Sequence, residues 1–149
     1  MKNQYNLPCN IAQTLNIIGD KWSLLILHQI FSGNETYKEI LDALETIPTN
    51  LLSERLKNLE SDELINRDIY QCHPPRYKYT LTEKGSDLED VFISLILWGE
   101  KHLNKCYKKL VHDKCDNLIE HKYYCPTCNK YLTKNELAVM NSKNNISEV

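Results

Sequence analysis

The chain has 149 residues, 42% of them hydrophobic and 26% charged, with a formal net charge of -2, which describes one ordinary folded domain plus at most a small appendage. Its longest apolar runs, residues 24–27 and 91–98, fall far short of the roughly 18 residues that a membrane-spanning helix needs, so no membrane passage is expected. The first eight residues lack the apolar stretch of a secretory signal, and six cysteines without such a signal point to reduced thiols, metal ligation or redox sensing in the cytoplasm.

Only four glycines and five prolines predict a mostly helical chain with short connections. From Asn10, Ile11, Leu15 and Ile18 recur at helical spacing until Gly19 and Asp20 stop the segment. Asp20 is a plausible N-cap for a second helix that runs through Trp22, Ile26 and Ile30 to Phe31; it is apolar nearly all round and is expected at the buried centre. Thr36 opens a third helix with Ile40, Leu41 and Leu44 on one face, and Glu45 to Pro48 is a tight connection. The fourth helix, from Thr49 to Glu60, points Leu52, Leu56 and Leu59 at the core.

Leu64 to Gln71 and Tyr77 to Leu81 alternate as two strands of a hairpin. Cys72 to Arg76 lies between them as a loop whose two prolines are expected to bar it from the ladder. From Thr82 a single long helix is expected to extend past Trp98 to Cys106, with Leu88, Val91, Phe92, Leu95 and Leu103 on one stripe. A second stripe, Ile93, Ile96 and Leu97, is either a subunit interface or a cover for the chain's own core. Beyond Cys106 the composition turns to lysine, tyrosine and cysteine. The expected organisation is a folded domain over 1–106, an appendage over 107–137 and a flexible tail over 138–149.

Three helices, a hairpin with a prolyl tip and a closing helix follow the order of a winged helix-turn-helix: mainly α, with a small β-hairpin wing. Cys9, Gly19-Asp20-Lys21-Trp22, Leu24-Leu25-Ile26-Leu27, Leu52-Ser53-Glu54-Arg55-Leu56, Pro74-Pro75-Arg76, Tyr79-Thr80-Leu81-Thr82-Glu83-Lys84-Gly85 and Trp98-Gly99-Glu100 together resemble the HxlR family of bacterial transcription regulators, within the MarR-like superfamily. The resemblance covers about residues 7–104. It implies a homodimer, built on the first and last helices, that binds a palindromic double-stranded DNA operator and is not an enzyme. Two departures stand out. Relatives show Ser and a basic residue where this chain has Pro48, Thr49 and Asn50, which implies a different operator preference, and Glu63 stands where a glycine is usual before the wing.

Thr49, Asn50 and Ser53 lie at the end of the recognition helix that approaches the groove most closely, and Asn can pair bidentately with adenine. Lys57 and Arg55 suit phosphates, or for Arg55 a guanine edge. Arg55 has the alternative of pairing with Glu54 or Glu60, and Lys57 that of a solvated charge. On the wing, Arg76 is held on a stiff loop beside two prolines, with Lys78 and His73 placed to follow it into the minor groove or along the backbone.

The appendage carries eight lysines between residues 101 and 134 against Asp113, Asp116 and Glu120, which favours a polyanion or is merely a solvated surface. His112 and Cys115, then Cys125 and Cys128, form two ligand pairs with two residues between the members of each, a spacing that suits a tetrahedral zinc site and makes 107–137 a zinc-ribbon-like appendage in expectation. Cys106 and His121 are reserve ligands. The same Cys125-Pro126-Thr127-Cys128 is also an active-site pattern of thiol-disulfide oxidoreductases, the rival reading, or simply two reduced thiols. Hydrolytic chemistry has little support, since neither His28 nor His102 has a Ser or Cys at motif spacing. Cys9 sits immediately before the first helix, where the dipole favours a thiolate. It is a redox or electrophile-sensing candidate or, equally, a small packed side chain.

Overall fold

The computed structural model describes residues 4–139. It resolves into two compact units that divide between Ile93 and Ser94, earlier in the chain than the change of composition at Cys106. The proposed tail lies outside the described residues from 140 onward.

The first unit contains α1 (Asn10–Ile18), α2 (Ser23–Phe31), α3 (Tyr37–Leu44), α4 (Thr49–Ser61), the strands β1 (Ile65–Cys72) and β2 (Pro75–Leu81), the short α5 (Glu83–Ser86) and the start of α6 (Glu89–His102). Its core is the set Ile26, Leu27, Ile40, Leu52, Leu59 and Ile65, each almost fully buried, with Trp22, Leu56 and Phe92 around them. Burying each such side chain contributes about 1.5–3 kcal/mol. Helix α2 is less central than its composition predicts, because Leu25 and Phe31 stay 43% and 42% exposed.

Local signals fix the helix ends. The Asp20 carboxylate accepts from the N–H groups of Trp22 and Ser23 at 2.9 and 3.1 Å and from the Ser23 hydroxyl, so it caps the turn that leads into α2. Thr36 and Glu39 form a capping box at the start of α3. At the end of α4, Leu64 N–H donates to Leu59 and Glu63 N–H to Glu60. This is a Schellman turn, and it places Glu63 at φ 59. The glycine expected there from the resemblance would adopt that conformation without strain; Glu63 adopts it with the same turn.

The hairpin departs from expectation at its tip. Pro75 is the first residue of β2 and faces Cys72 across the ladder, leaving only His73 and the cis-linked Pro74 as the turn. A proline at the first position of a strand forfeits no needed donor, so the ladder begins at it. The register is broken between Ile69 and Gln71, leaving Tyr70 as an unpaired bulge residue.

The long helix expected from Thr82 to Cys106 is two helices. Thr82 does cap, accepting from Gly85 N–H at 3.1 Å, but α5 ends at Ser86 and α6 starts at Glu89. On α6 the exposed face is Val91, Leu95 and Trp98, at i, i+4 and i+7, whereas Ile93, Ile96 and Leu97 are half-buried. On α1, Ile11 is 72% exposed.

The second unit holds the remainder of α6, the antiparallel strands β3 (Tyr123–Cys125) and β4 (Lys130–Leu132), and a 3-10 turn capped by Thr133 and Glu136. None of its described residues is buried, so apolar packing contributes little to its order.

Candidate nucleic-acid interface

Helix α4 starts at Thr49 behind Pro48, with no side-chain cap and no acidic residue in its first turn. Its leading N–H groups and the exposed side chains of Thr49 and Asn50 therefore form a donor-rich, electropositive end. That end is fixed in place by Tyr37, whose hydroxyl donates to the Thr49 carbonyl at 2.7 Å. Ser53, expected to face DNA, donates to the same carbonyl at 3.0 Å and is half-buried. Tyr37 escaped the sequence reading because nothing in the periodicity of α3 distinguishes it from an ordinary half-buried aromatic.

Arg55 takes the expected alternative of pairing with Glu54 and adds a partner that the sequence did not offer. Its side chain is 15% exposed, with Nε 3.2 Å from Asp20 and Nη1 3.5 Å from Glu54. Neither N–H is aligned for a hydrogen bond, so the attraction is coulombic. Spacing along one helix could suggest Glu54, but the Asp20 partner is 35 residues away in sequence and only the fold reveals it. The Asp20 carboxyl is raised by burial, yet hydrogen bonds from Ser23 and Trp22 and the Arg55 charge outweigh this and hold it below its ordinary range.

The wing shows a similar division between held and free charges. Lys78 is paired with Glu35 at 2.5 Å, which raises its pKa through that hydrogen bond and charge. Tyr79 N–H donates to the Glu35 carbonyl, so the chain entering α3 lies along the open edge of β2. Arg67 is paired with Glu60 at 3.3 Å and lies over the Tyr77 ring at 4.7 Å. Arg76 and Lys57 are exposed, and among the described residues neither has an ion pair. His73 is exposed at the tip. Between α4 and the wing lies a groove of about 590 Å³, lined on one side by Ser53, Leu56 and Lys57 and on the other by Tyr70, Arg76 and Tyr77.

In the second unit, His112 Nδ1 lies 3.1 Å from Cys115 Sγ. The N–H and thiol of Cys128 and the N–H of Thr127 lower the Cys125 pKa. Each expected pair of donors is thus assembled, but as two pairs: among the described residues no three His, Cys, Asp or Glu side chains gather at one point. Cys125 ends β3 and the chain turns directly into β4, a setting unlike the strand-to-helix start that thioredoxin-like chemistry uses. Cys9 is exposed at the N-cap of α1 without a side-chain cap bond.

Two helices joined by a tight turn, the second with an open N-terminus and a wing beside it, define a winged helix-turn-helix protein. Residues 17–107 match the HxlR-like helix-turn-helix family, and the chain belongs to it. It is 35% identical over 106 residues to the "uncharacterized HTH-type transcriptional regulator YtcD" of Bacillus subtilis (strain 168), across 71% of this chain and 82% of that one. The reduced form of the transcriptional regulator YodB from B. subtilis superposes with a TM-score of 0.55 at 33% identity, over 64% of this chain and 95% of YodB. The oxidized form of the redox regulator HypR gives 0.57 at 33% identity, over 65% of this chain and 100% of HypR.

Proposed function

We propose that the protein is a transcriptional regulator that binds a palindromic DNA operator as a homodimer. The observation that carries the reading is the exposed, uncapped start of α4 at Thr49 and Asn50, flanked by Lys57 and Arg76, exposed cations without an ion pair among the described residues. Asn50 and Thr49 meet base edges; Lys57, Arg76 and His73 meet phosphates or the minor groove. Ser53, Arg55 and Lys78, held by partners within the chain, position α4 and the wing. Dimerisation is supported by the exposed apolar residues Ile11 and Leu15 of α1 and Val91, Leu95 and Trp98 of α6.

The test is selection of duplexes from a random pool by the purified protein, followed by anisotropy titrations at several salt concentrations. A palindrome with half-sites about one helical turn apart is expected. Failure to enrich any sequence over random duplex would refute operator recognition.

Two finer assignments belong to the same reading. His112, Cys115, Cys125 and Cys128 hold a structural zinc ion that draws the two donor pairs together. Support comes from the pairs themselves and from a unit without a buried core, for which metal binding supplies the folding energy. Cys9 makes DNA binding responsive to thiol oxidants or electrophiles, supported by its exposure at the N-cap of α1 and by the likeness to a redox regulator.

A further inference from the structure

We propose that the second unit is a further DNA-contacting surface, whose lysines and exposed tyrosine rings bind the sugar–phosphate backbone of duplex DNA beside the half-site that α4 and the wing occupy. The inference rests on the DNA-binding reading above and adds a contact to it.

Charge is divided unevenly along the chain. Residues 1–93 hold nine Lys and Arg against fourteen Asp and Glu, a net of -5, whereas residues 94–149 hold nine Lys against six Asp and Glu, a net of +3. A unit that carries -5 is repelled by a polyanion unless local cations face it. Of the five cations on α4 and the wing, Arg55, Arg67 and Lys78 are ion-paired within the chain, which leaves Lys57 and Arg76. Two cations per protomer are few against the roughly 6–10 phosphate contacts of a strongly salt-dependent DNA binder.

The second unit supplies more. Glu120 and Glu136 are taken up by Lys122 at 3.1 Å and Lys130 at 3.0 Å, while Lys101, Lys105, Lys109, Lys114 and Lys134 are exposed and, among the described residues, without an ion pair. Aromatic rings are interleaved with them. Tyr124 and Tyr131 pair across the β3–β4 ribbon with ring centroids 5.4 Å apart, and they stay 50% and 70% exposed. Side chains alternate along a strand, so these two rings share the face opposite the half-buried Cys125 and Leu132. Lys105 Nζ lies 5.1 Å over the exposed Tyr107 ring. A tyrosine offers an apolar face to deoxyribose and a hydroxyl to a phosphate oxygen, and lysine supplies the counter-charge. Duplex DNA is the polyanion that fits best, because the second unit is joined in one chain to the reader of a duplex. Binding by the first unit raises the local concentration of backbone around the second, so individually weak contacts add affinity.

Full-length protein is titrated by anisotropy, across a salt series, with a duplex ending at the outer edges of the selected half-sites and with one extended by about 12 base pairs on each side. The wild type is expected to bind the extended duplex at least about tenfold more tightly, with a steeper slope of log affinity against log salt. The triple variant Lys105→Gln, Lys109→Gln and Lys114→Gln, altered only at exposed positions, loses at least about two from that slope on the extended duplex. It binds both duplexes alike and selects the same operator sequence as the wild type. Tyr131→Leu, which keeps an apolar side chain on the ribbon and removes the hydroxyl, lowers affinity for the extended duplex about threefold. Equal affinity of the wild type for both duplexes, or a triple variant that keeps the advantage of the extended one, overturns the proposal. Tighter binding when the extensions are single-stranded than when they are paired overturns it in favour of an unpaired strand. A protein that enriches no sequence is titrated with random duplex instead. Weaker binding by the triple variant then refutes operator recognition and upholds the second unit as a DNA contact, and binding unchanged by the substitutions refutes both.

Discussion

Arg55 Nε lies 3.2 Å from Asp20 Oδ1, with the two side chains 15% and 21% exposed. A cation of the recognition helix is thereby held against the turn that starts α2. The Asp20 carboxylate serves both sides of this contact, since it also caps that turn through Trp22 and Ser23.

Stability should depend on pH through this group. Its pKa is lowered from the ordinary 3.8 in the folded chain, so its contribution is complete above that value and is lost as pH falls through the folded pKa. Asp20→Ala is expected to cost about 2 kcal/mol near neutrality, from the lost cap and from an Arg55 charge left with only Glu54 beside it. In urea denaturation the gap between wild type and variant should narrow as pH falls from about 5 toward 2. An equal gap at pH 7 and pH 3 would show that the charge on Asp20 contributes nothing.

Arg55 and Arg76 should separate stability from DNA affinity. Arg55→Gln is expected to destabilise the fold by about 1 kcal/mol, because it removes the counter-charge from a partly buried carboxylate that keeps its hydrogen bonds. It should leave the dependence of DNA affinity on salt unchanged. Arg76→Ala should leave stability within about 0.5 kcal/mol and flatten the slope of log affinity against log salt by about one. Reversal of these two phenotypes would mean that the inward and outward assignments are wrong.

The exposed stripe of α6 predicts the oligomeric surface. Leu95→Glu places a charge in the middle of Val91, Leu95 and Trp98, and sedimentation should show monomers with lost operator affinity. A soluble Leu95→Glu protein that sediments like the wild type would remove this face from the proposed interface.

What was legible in the sequence was what short-range physics decides. Thr36 and Thr82 as helix starts, and the 3.6-residue spacing of Leu52, Leu56 and Leu59, need only neighbours, and each stands where the pattern puts it. The break between α5 and α6 was not legible because its setting is tertiary: a Cβ on Gly85 would stand 2.1 Å from the Leu64 carbonyl oxygen. A backbone that close fixes α5 against the start of the wing, and apolar periodicity carries no trace of it. The inward placement of Arg55 was not legible for the same reason. Helical spacing offers DNA or pairing with Glu54 or Glu60, and the Asp20 partner belongs to the turn before another helix. The bulge at Tyr70 hid the groove, since strict alternation assigns every strand residue a partner.

Zinc is expected at about one ion per chain in protein purified under reducing conditions. Cys125→Ser should lose it, and amide exchange should accelerate in residues after Cys106 while the core amides of α2 and α4 keep their protection, since their core is built from residues before Ile93. Full metal content in Cys125→Ser would show that the ligand set is different. Metal-free wild-type protein with unchanged exchange would remove zinc from the account.

Cys9 provides the last prediction. Its thiol is exposed at the N-cap of α1, two positions before Ile11, whose 72% exposure makes α1 part of the surface assigned to dimerisation. Oxidation by diamide joins such a thiol to a second one, either glutathione or a thiol of the other protomer, and adds bulk or a cross-link beside that surface. Half-site spacing depends on how the two protomers are disposed, so a change there is read out as lost operator affinity. Diamide is therefore expected to lower DNA binding of the wild type at least tenfold, reversibly with dithiothreitol, and to leave Cys9→Ser unaffected. Cys72 is also exposed, on the wing, and Cys72→Ser separates the two: it should respond like the wild type. Equal loss in wild type and Cys9→Ser would place the response at another thiol, with Cys72→Ser showing whether the wing carries it.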